Sequence, residues 1–414
     1  MVGSIIALLP SIAFLLVAAI FFFLMHDNPE RLFFCLIYYF AFKSSTLFNF
    51  ELVLNLEGIN IFPEDLLTLF LALELIFSLA NRLLSKRVSA SRYRVLGKFY
   101  FSMSIIGLIT WTYSEGIQTA VVNWRENLLS SVLILYCFSL NKWIKYELFS
   151  AALYRGSLFL SLLILIDILL NGVGTYSHVS AITGVTDRAT TASGALFLVL
   201  ALWNFLLQIK VFDFKRIMYV CVLATEILIL QHRSVWIASI IGLIYLGLRL
   251  DNFNLRARIL ASLCIGTPFL FYIVKSTFTL SSAASDSGTL TWRLLRWQGS
   301  LGQSKSDLQI VFGGIIGHTE SITVAGLNVA AHNMYVSLFE KFGLIGVFIY
   351  LAMLIPSRIE SKGTSSFRNL DLVSSLTIVV FGVFYSFPYL AVLVLFSLRR
   401  IRSESAWKSD SALP

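Results

Sequence analysis

The stretch SLFLSLLILIDILL, Ser157 to Leu170, decides what kind of fold this chain can adopt. Asp167 is its single charged residue, and no polar side chain alternates with the apolar ones as it would along a barrel strand. Backbone in hydrocarbon must satisfy its own N–H and C=O groups, so a run of this kind reads as a helix. Comparable runs recur along the chain. Of 414 residues, 57% are hydrophobic and 13% charged, with a mean hydropathy of +0.80; soluble domains carry about 25% charge. The chain reads as an all-α, polytopic integral membrane protein.

Working outward from that run, membrane helices are expected at 4–25, 32–49, 63–82, 98–113, 127–140, 148–170, 191–209, 216–231, 235–249, 257–274, 334–355 and 370–398, about 12 in all. The last run contains Pro388, which either kinks one long helix or divides two short ones. The first, Ile5 to Leu24, has no basic segment before it and reads as a retained helix rather than a cleaved signal. Basic connections gather on the cytoplasmic side of membrane proteins. Asn81–Lys98 holds six Lys or Arg and no acid, and Arg249–Arg258, Ser357–Arg368 and Arg399–Lys408 are also basic. These four are assigned to the cytoplasm, which accounts for the net charge of +9 without a nucleic-acid partner. The longer connections 171–190 and 276–333 then face the other side, in a bacterium the periplasm. Residues 1–414 form one membrane domain, with 276–333 as its large periplasmic loop.

That loop is long enough to build a site of its own. Its SSAASDSGTLTWRLLRWQ segment, Ser281 to Gln298, reads as a short amphipathic helix through Trp292, Leu295 and the arginines; FGGIIG, Phe312 to Gly317, reads as a flexible turn-rich patch. Three features meet on the same side: LQHRSVWIA with Arg233 at a helix break, TWRLLRW with Arg293 and Arg296, and AHNMY with His332. A guanidinium is a permanently charged fork that matches phosphate oxygens two at a time. Arginine at membrane depth is costly and therefore a functional candidate. A neutral His332 is suited to take a proton from a sugar hydroxyl. Structural readings compete with each of these. Arg233 can be a snorkelling helix-end residue, His332 a satisfied helix-end residue, and one of Arg293 and Arg296 a partner for lipid phosphate. Glu74, Asp167 and Glu226, inside apolar runs, fit inter-helix hydrogen bonding as well as proton relay. His318, beside the glycines, is a further candidate.

The order and spacing say more than the single residues. His332-Asn333, nine residues, then Gly343 and Gly346 resembles the signature of the O-antigen ligase and polymerase family. Arg233-Ser234 is similar to that family's arginine at an outer helix break, and Arg293 with Trp297 to its motif early in the large loop. The stretch DRATTASGALFLVLAL, which contains Arg188, is similar to its passage from a small periplasmic loop into a helix. The likeness covers residues 180–350; the N-terminal third matches only in being helical and membrane-bound.

The resemblance implies an integral-membrane glycosyltransferase of GT-C-like type in the bacterial inner membrane, its site facing the periplasm. It would move a glycan from an undecaprenyl-diphosphate carrier to a hydroxyl of an acceptor glycan, with His332 as catalytic base and Arg233, Arg293 and Arg296 on the diphosphate. Asn333, an N-cap residue, Gly343 and Gly346, expected on one helix face for close packing, Arg188 and His318 would support them. No metal or cofactor is implied; the chain lacks a D-x-D motif and a Walker-type loop. Membrane lipids and a chain-length regulator are the further partners implied. Polymerase is favoured and ligase onto lipid A-core is the alternative. A lipid-linked glycan flippase, from another class, would place more charge at the membrane midplane. Topology is directly testable: with cysteines at Ser285 and Ser89, an impermeant reagent added to intact cells should label position 285 and leave 89 untouched.

Overall fold

The computed structural model describes residues 28–47, 54–56, 59–61, 63–85, 92–139, 144–172, 188–208, 214–249, 287–302, 305–316, 323–324, 327–328, 333–356, 365–385 and 388–410. The helices expected at 4–25 and 257–274 lie outside these residues. Helix α1 (Pro29–Ser44) is followed by a ribbon of β1 (Leu54–Leu56) and β2 (Ile59–Ile61), antiparallel with Leu54 opposite Ile61. Then come α2 (Pro63–Ser85), α3 (Arg92–Glu115), α4 (Ile117–Ser139), α5 (Tyr146–Asn171), α6 (Ala192–Gln208), α7 (Phe214–Ile229) and α8 (Arg233–Arg249). The large connection contributes α9 (Ser287–Gly302), α10 (Asp307–Phe312), a 3-10 turn (Gly313–Ile315) and a second ribbon of β3 (Thr323–Val324) and β4 (Leu327–Asn328). Helices α11 (Met334–Leu354), α12 (Ser365–Phe384) and α13 (Tyr389–Asp410) follow.

Among the described residues, four helices are long and apolar enough to cross a membrane: Arg92–Glu115, Tyr146–Asn171, Met334–Leu354 and Phe367–Phe384. Ala192–Gln208 and Arg233–Leu248 are apolar but shorter. Helix α6 is buried from Gly194 to Asn204 on all faces, as expected of a helix apolar all round, and packs against α1, α5, α7, α8, α12 and α13. Helix α5 shows how lipid would be met. Its buried face carries Leu153, Leu160 and Ile164, while Leu158, Leu162, Leu165 and Leu169 are exposed at helical spacing. An apolar stripe of that kind is a membrane-facing surface.

Of the two alternatives for the run 370–398 the structure has two helices, Pro388 having no N–H to continue the ladder. Two other boundaries differ from the sequence expectation. The connection expected between 113 and 127 is helical on both sides of Gly116, which turns the chain at φ 85. The basic segments at Arg92 and Arg399 are helical rather than loops, because their arginines satisfy the last carbonyls of neighbouring helices.

Arg399 is the clearest case. Its Nε is 2.8 Å from Asp371 Oδ1 on α12, with both side chains 1% exposed. Its two Nη groups donate to Met353 O, to Leu354 O at 2.5 Å and to Ser375 Oγ at 2.7 Å. The guanidinium also lies 4.9 Å from the Tyr93 ring of α3. Arg94 does the same for α4, donating to Phe138 O from Nε at 2.9 Å, and Arg92 donates to Ala352 O near the end of α11.

Breaking a buried ion pair strands a charge and costs about 3–5 kcal/mol, whereas replacing both partners by apolar residues is often neutral. Asp371→Ala should therefore markedly lower the melting midpoint of the detergent-solubilised protein, and the double change Asp371→Leu with Arg399→Met should recover most of that loss.

Candidate functional site

The ends of α1, α5, α7 and α12 meet the beginnings of α6, α8, α11 and α13 at the opposite end of the bundle, and the sequence-derived arginines lie there. The break between α7 and α8 is three residues, Leu230 to His232. Gln231 makes the turn at φ 53, a left-handed conformation held by its N–H to Leu228 O. Trp236 Nε1 donates back across the break to Ile227 O at 2.8 Å. His232 caps α8, its carbonyl accepting from Val235 and Trp236 N–H. Arg233 follows in the first turn of α8, half-buried.

His232 is buried, and both its ring nitrogens are engaged. Arg188 Nη1, which can only donate, is 2.9 Å from Nδ1; Nδ1 therefore accepts, and Nε2–H donates to Thr190 O at 2.9 Å. Burial first, and the Arg188 charge second, pull the imidazole pKa down to about 3. Arg188 and Thr190 are themselves fixed. Ser45 bridges Thr190, Thr190 Oγ1 donates to Ser44 O at 2.6 Å, and Thr46 Oγ1 donates to Arg188 O and to Asp167 Oδ2. Asp167 also accepts from Asn171 at 2.6 Å. Asp167 thus ties the chain leading into α6 to Thr46 and Asn171, and Glu226 accepts from Ser161 of α5 at 2.6 Å.

The amphipathic helix expected in the large connection is α9, with Leu294 and Leu295 exposed and Arg296 and Ser300 buried. Arg293 Nη1 donates to Phe384 O at the end of α12, 3.3 Å away. The next residue is Tyr385, half-buried where α12 ends. Burial raises the Tyr385 phenol's pKa, while Arg188 and Arg293 both draw it back. Arg296 points elsewhere. Its Nη1 lies 2.6 Å from Glu340 of α11, and Ser300 Oγ joins the same carboxylate at 2.6 Å. Arg296 was expected on diphosphate or lipid phosphate; in the structure the Glu340 carboxylate holds it and ties α9 to α11.

Two further expectations change. FGGIIG was expected to be flexible, yet Gly313, Gly314 and Ile315 are buried and docked, with Trp111 Nε1 donating to Gly314 O at 2.7 Å. Gly343 and Gly346 were expected on one helix face, yet Gly343 breaks α11 with φ 63 and ψ −161. Its backbone packs on that of the connection: a Cβ there would come within 2.3 Å of Val311 O, and one at Gly313 within 2.4 Å of Gly343 N. Only glycine allows both the dihedral and the approach. Gly346 accommodates Phe342 of its own helix. Gly343 stands ten residues after Asn333, roughly 15 Å along the axis, so part of the large connection lies back along α11. Asn333 caps that helix, Oδ1 accepting from Tyr335 and Val336 N–H at 2.9 and 3.0 Å.

The structure thus gathers Arg188, Arg293 and, through His232, Arg233 at one end of the bundle. His332 and His318 lie outside the described residues. Sequence reading passed over His232 and Tyr385. The His-Arg pair at the helix break was the signal for the first; nothing local marks the second. Among the described residues no group of three or more His, Cys, Asp or Glu could hold a metal ion. No protein-family model matches the chain, and no curated protein matches it in sequence. The functional reading therefore stands on these residues.

His232 generates a pH dependence whose sign can be worked out. Its folded pKa is about 3 against an ordinary 6.5, so the unfolded chain binds the extra proton first. The stability this provides is complete above pH 6.5 and is lost as the pH falls toward 3, by up to about 1.4 kcal/mol per pH unit. Thermal melts in detergent between pH 7 and pH 4.5 should show a smaller acid-side decline in His232→Asn than in the parent protein.

Proposed function

We propose that this chain is a membrane glycosyltransferase that moves a glycan from undecaprenyl diphosphate onto a sugar hydroxyl of an acceptor glycan, acting as a surface-polysaccharide polymerase. The observation that supports this reading is Arg188 against His232 at the α7–α8 break, with Arg233 the next residue, and Arg293 bonded to Phe384 O at the end of α12. Forked, permanent cations at a membrane-protein end suit a diphosphate leaving group. In this proposal the chain crosses the inner membrane about 12 times, and the arginine-rich end faces the periplasm. Its partners are the lipid-linked donor, the acceptor and a chain-length regulator.

The reaction divides between the two kinds of residue. The acceptor hydroxyl oxygen attacks the anomeric carbon of the donor sugar, the bond from that carbon to the diphosphate oxygen breaks, and the electron pair leaves with the diphosphate. Arg233 and Arg293 stabilise the charge that develops there. His332 takes the hydroxyl proton, a contribution of roughly 10² to 10⁴-fold for a positioned base. The Asn333 cap supports this assignment, because it fixes the start of α11 directly after the histidine.

Arg233→Lys and Arg293→Lys keep charge and lose the fork, so transfer from lipid-linked donor should fall strongly in both; normal turnover would reduce these arginines to generic charge. His332→Gln should abolish transfer without reducing protein abundance, and near-normal activity would send the search for the base elsewhere. Gel analysis of surface polysaccharide after gene deletion separates the two family activities. Loss of long chains with a single repeat kept on the core means polymerase. Bare core with carrier-linked polymer accumulating means ligase.

A further inference from the structure

The segment Lys305 to Ile316 runs along α11 instead of away from the helical bundle. Lys305 Nζ lies 4.4 Å from the Phe339 ring. Val311 and Gly313 then meet the backbone at Phe342 and Gly343, and Gly314 comes back to Glu340, nearer the start of α11. The chain therefore enters along the helix, turns at the glycines and starts back. Its backbone at the turn is matched within the protein. Gly313 N–H donates to Gln309 O, Gly314 O accepts from Trp111 Nε1–H, and Gly313, Gly314 and Ile315 are buried. That is the condition under which non-helical backbone is tolerated at membrane depth.

Two helices long and apolar enough to cross a membrane measure how deep the turn lies. Arg92 of α3 donates to Ala352 O of α11, so the start of α3 and the end of α11 share one end of the bundle. From that end Trp111 is 19 residues along α3, about 29 Å. Glu340 is 14 residues back from Leu354 along α11, about 21 Å. A hydrocarbon core is about 30 Å thick, so the turn falls inside the leaflet at the α9 end.

The side chains agree with that depth. Leu308 and Phe312, four apart on α10, are exposed, and so is Ile316 after the turn. On α9, Leu294 and Leu301 are exposed, seven apart, while Arg296 and Ser300 turn inward to Glu340. Lys305 and Asp307, the charged residues of the segment, stand at its shallow end. Beyond Gly343 the same kind of surface continues with the exposed Leu344 and Phe348 of α11.

We infer that Lys305–Ile316 is a re-entrant element of the membrane domain, with Leu308, Phe312 and Ile316 against the acyl chains of the leaflet at the α9 end. Helix α9 lies on the same lipid surface through Leu294 and Leu301. The bilayer itself is thus the partner of this part of the large connection. The inference rests on the membrane reading of the helices and is independent of the reaction proposed above.

The test uses the full-length protein with its four native cysteines replaced by serine, in vesicles of phosphatidylethanolamine and phosphatidylglycerol. A nitroxide is placed on a single cysteine at Leu308, Phe312 or Ser285. Spin-label saturation then reads collision with oxygen, which concentrates in hydrocarbon, and with a neutral nickel chelate, which stays in water. The ratio of oxygen to nickel collisions should be several times higher at position 312 than at 285. At 308, nearer the shallow end, it should lie between the two. Labels at Leu294 and Leu301 should also favour oxygen, and they decide the matter if a label on α10 disturbs folding. Nickel access at 308 and 312 equal to that at 285 would overturn the inference by placing this face in water. Low collision with both reagents would overturn it too, because another protein surface, such as a second copy of the chain, would then cover the face.

Discussion

A guanidinium removed from water must have its N–H groups matched, and Arg399 achieves this only where α11, α12 and α13 come together over the Tyr93 ring of α3. The Asp371 carboxylate supplies the countercharge, and the last-turn carbonyls of α11, which have no partners within their own helix, supply the rest. One residue thereby closes two accounts of unsatisfied polarity. It also fixes how four helices meet. Helix α12 runs unbroken for 20 residues, about 30 Å, so fixing its Asp371 end helps to register the other.

At that other end the registered helix ends become useful. Asn333 opens α11, and Phe384 and Tyr385 close α12. Into the space beside them come the α6 start with Arg188, the α7–α8 break with His232 and Arg233, and α9 with Arg293. None of these connections could position a guanidinium alone. Each is held by bonds to backbone: Thr190 and Arg188 against Ser44 and Thr46, Arg293 against Phe384. The Gly313–Gly343 contact seats the large connection against α11 without side chains between them.

How much of this was legible beforehand depended on the range of the interaction. The apolar runs around Ser157–Leu170 and Gly194–Leu207 announced helices because helical hydrogen bonding is local and hydrocarbon allows no alternative. The Asn333 cap was legible for the same reason, being a contact two and three residues away. Arg233 and Arg293 stood out as candidates because cations near apolar runs are costly, whatever surrounds them. Arg296, only three residues from Arg293 and of the same type, could not be sorted from it by that reasoning. Its Glu340 partner is 44 residues along the chain.

By itself, then, the sequence determined an all-helical membrane protein, most of the described helix positions, the Asn333 cap and a short set of candidate arginines. Tertiary structure decided that Arg296 pairs with Glu340, that Asp167 and Glu226 accept hydrogen bonds from Thr46 and Ser161, that Gly343 breaks α11, and that His232 lies against Arg188. The reason is physical. Burial, hydrogen-bond direction and the contact between the Gly313 and Gly343 backbones are properties of residues 30 to 91 positions apart, whose encounter is set by how whole helices pack.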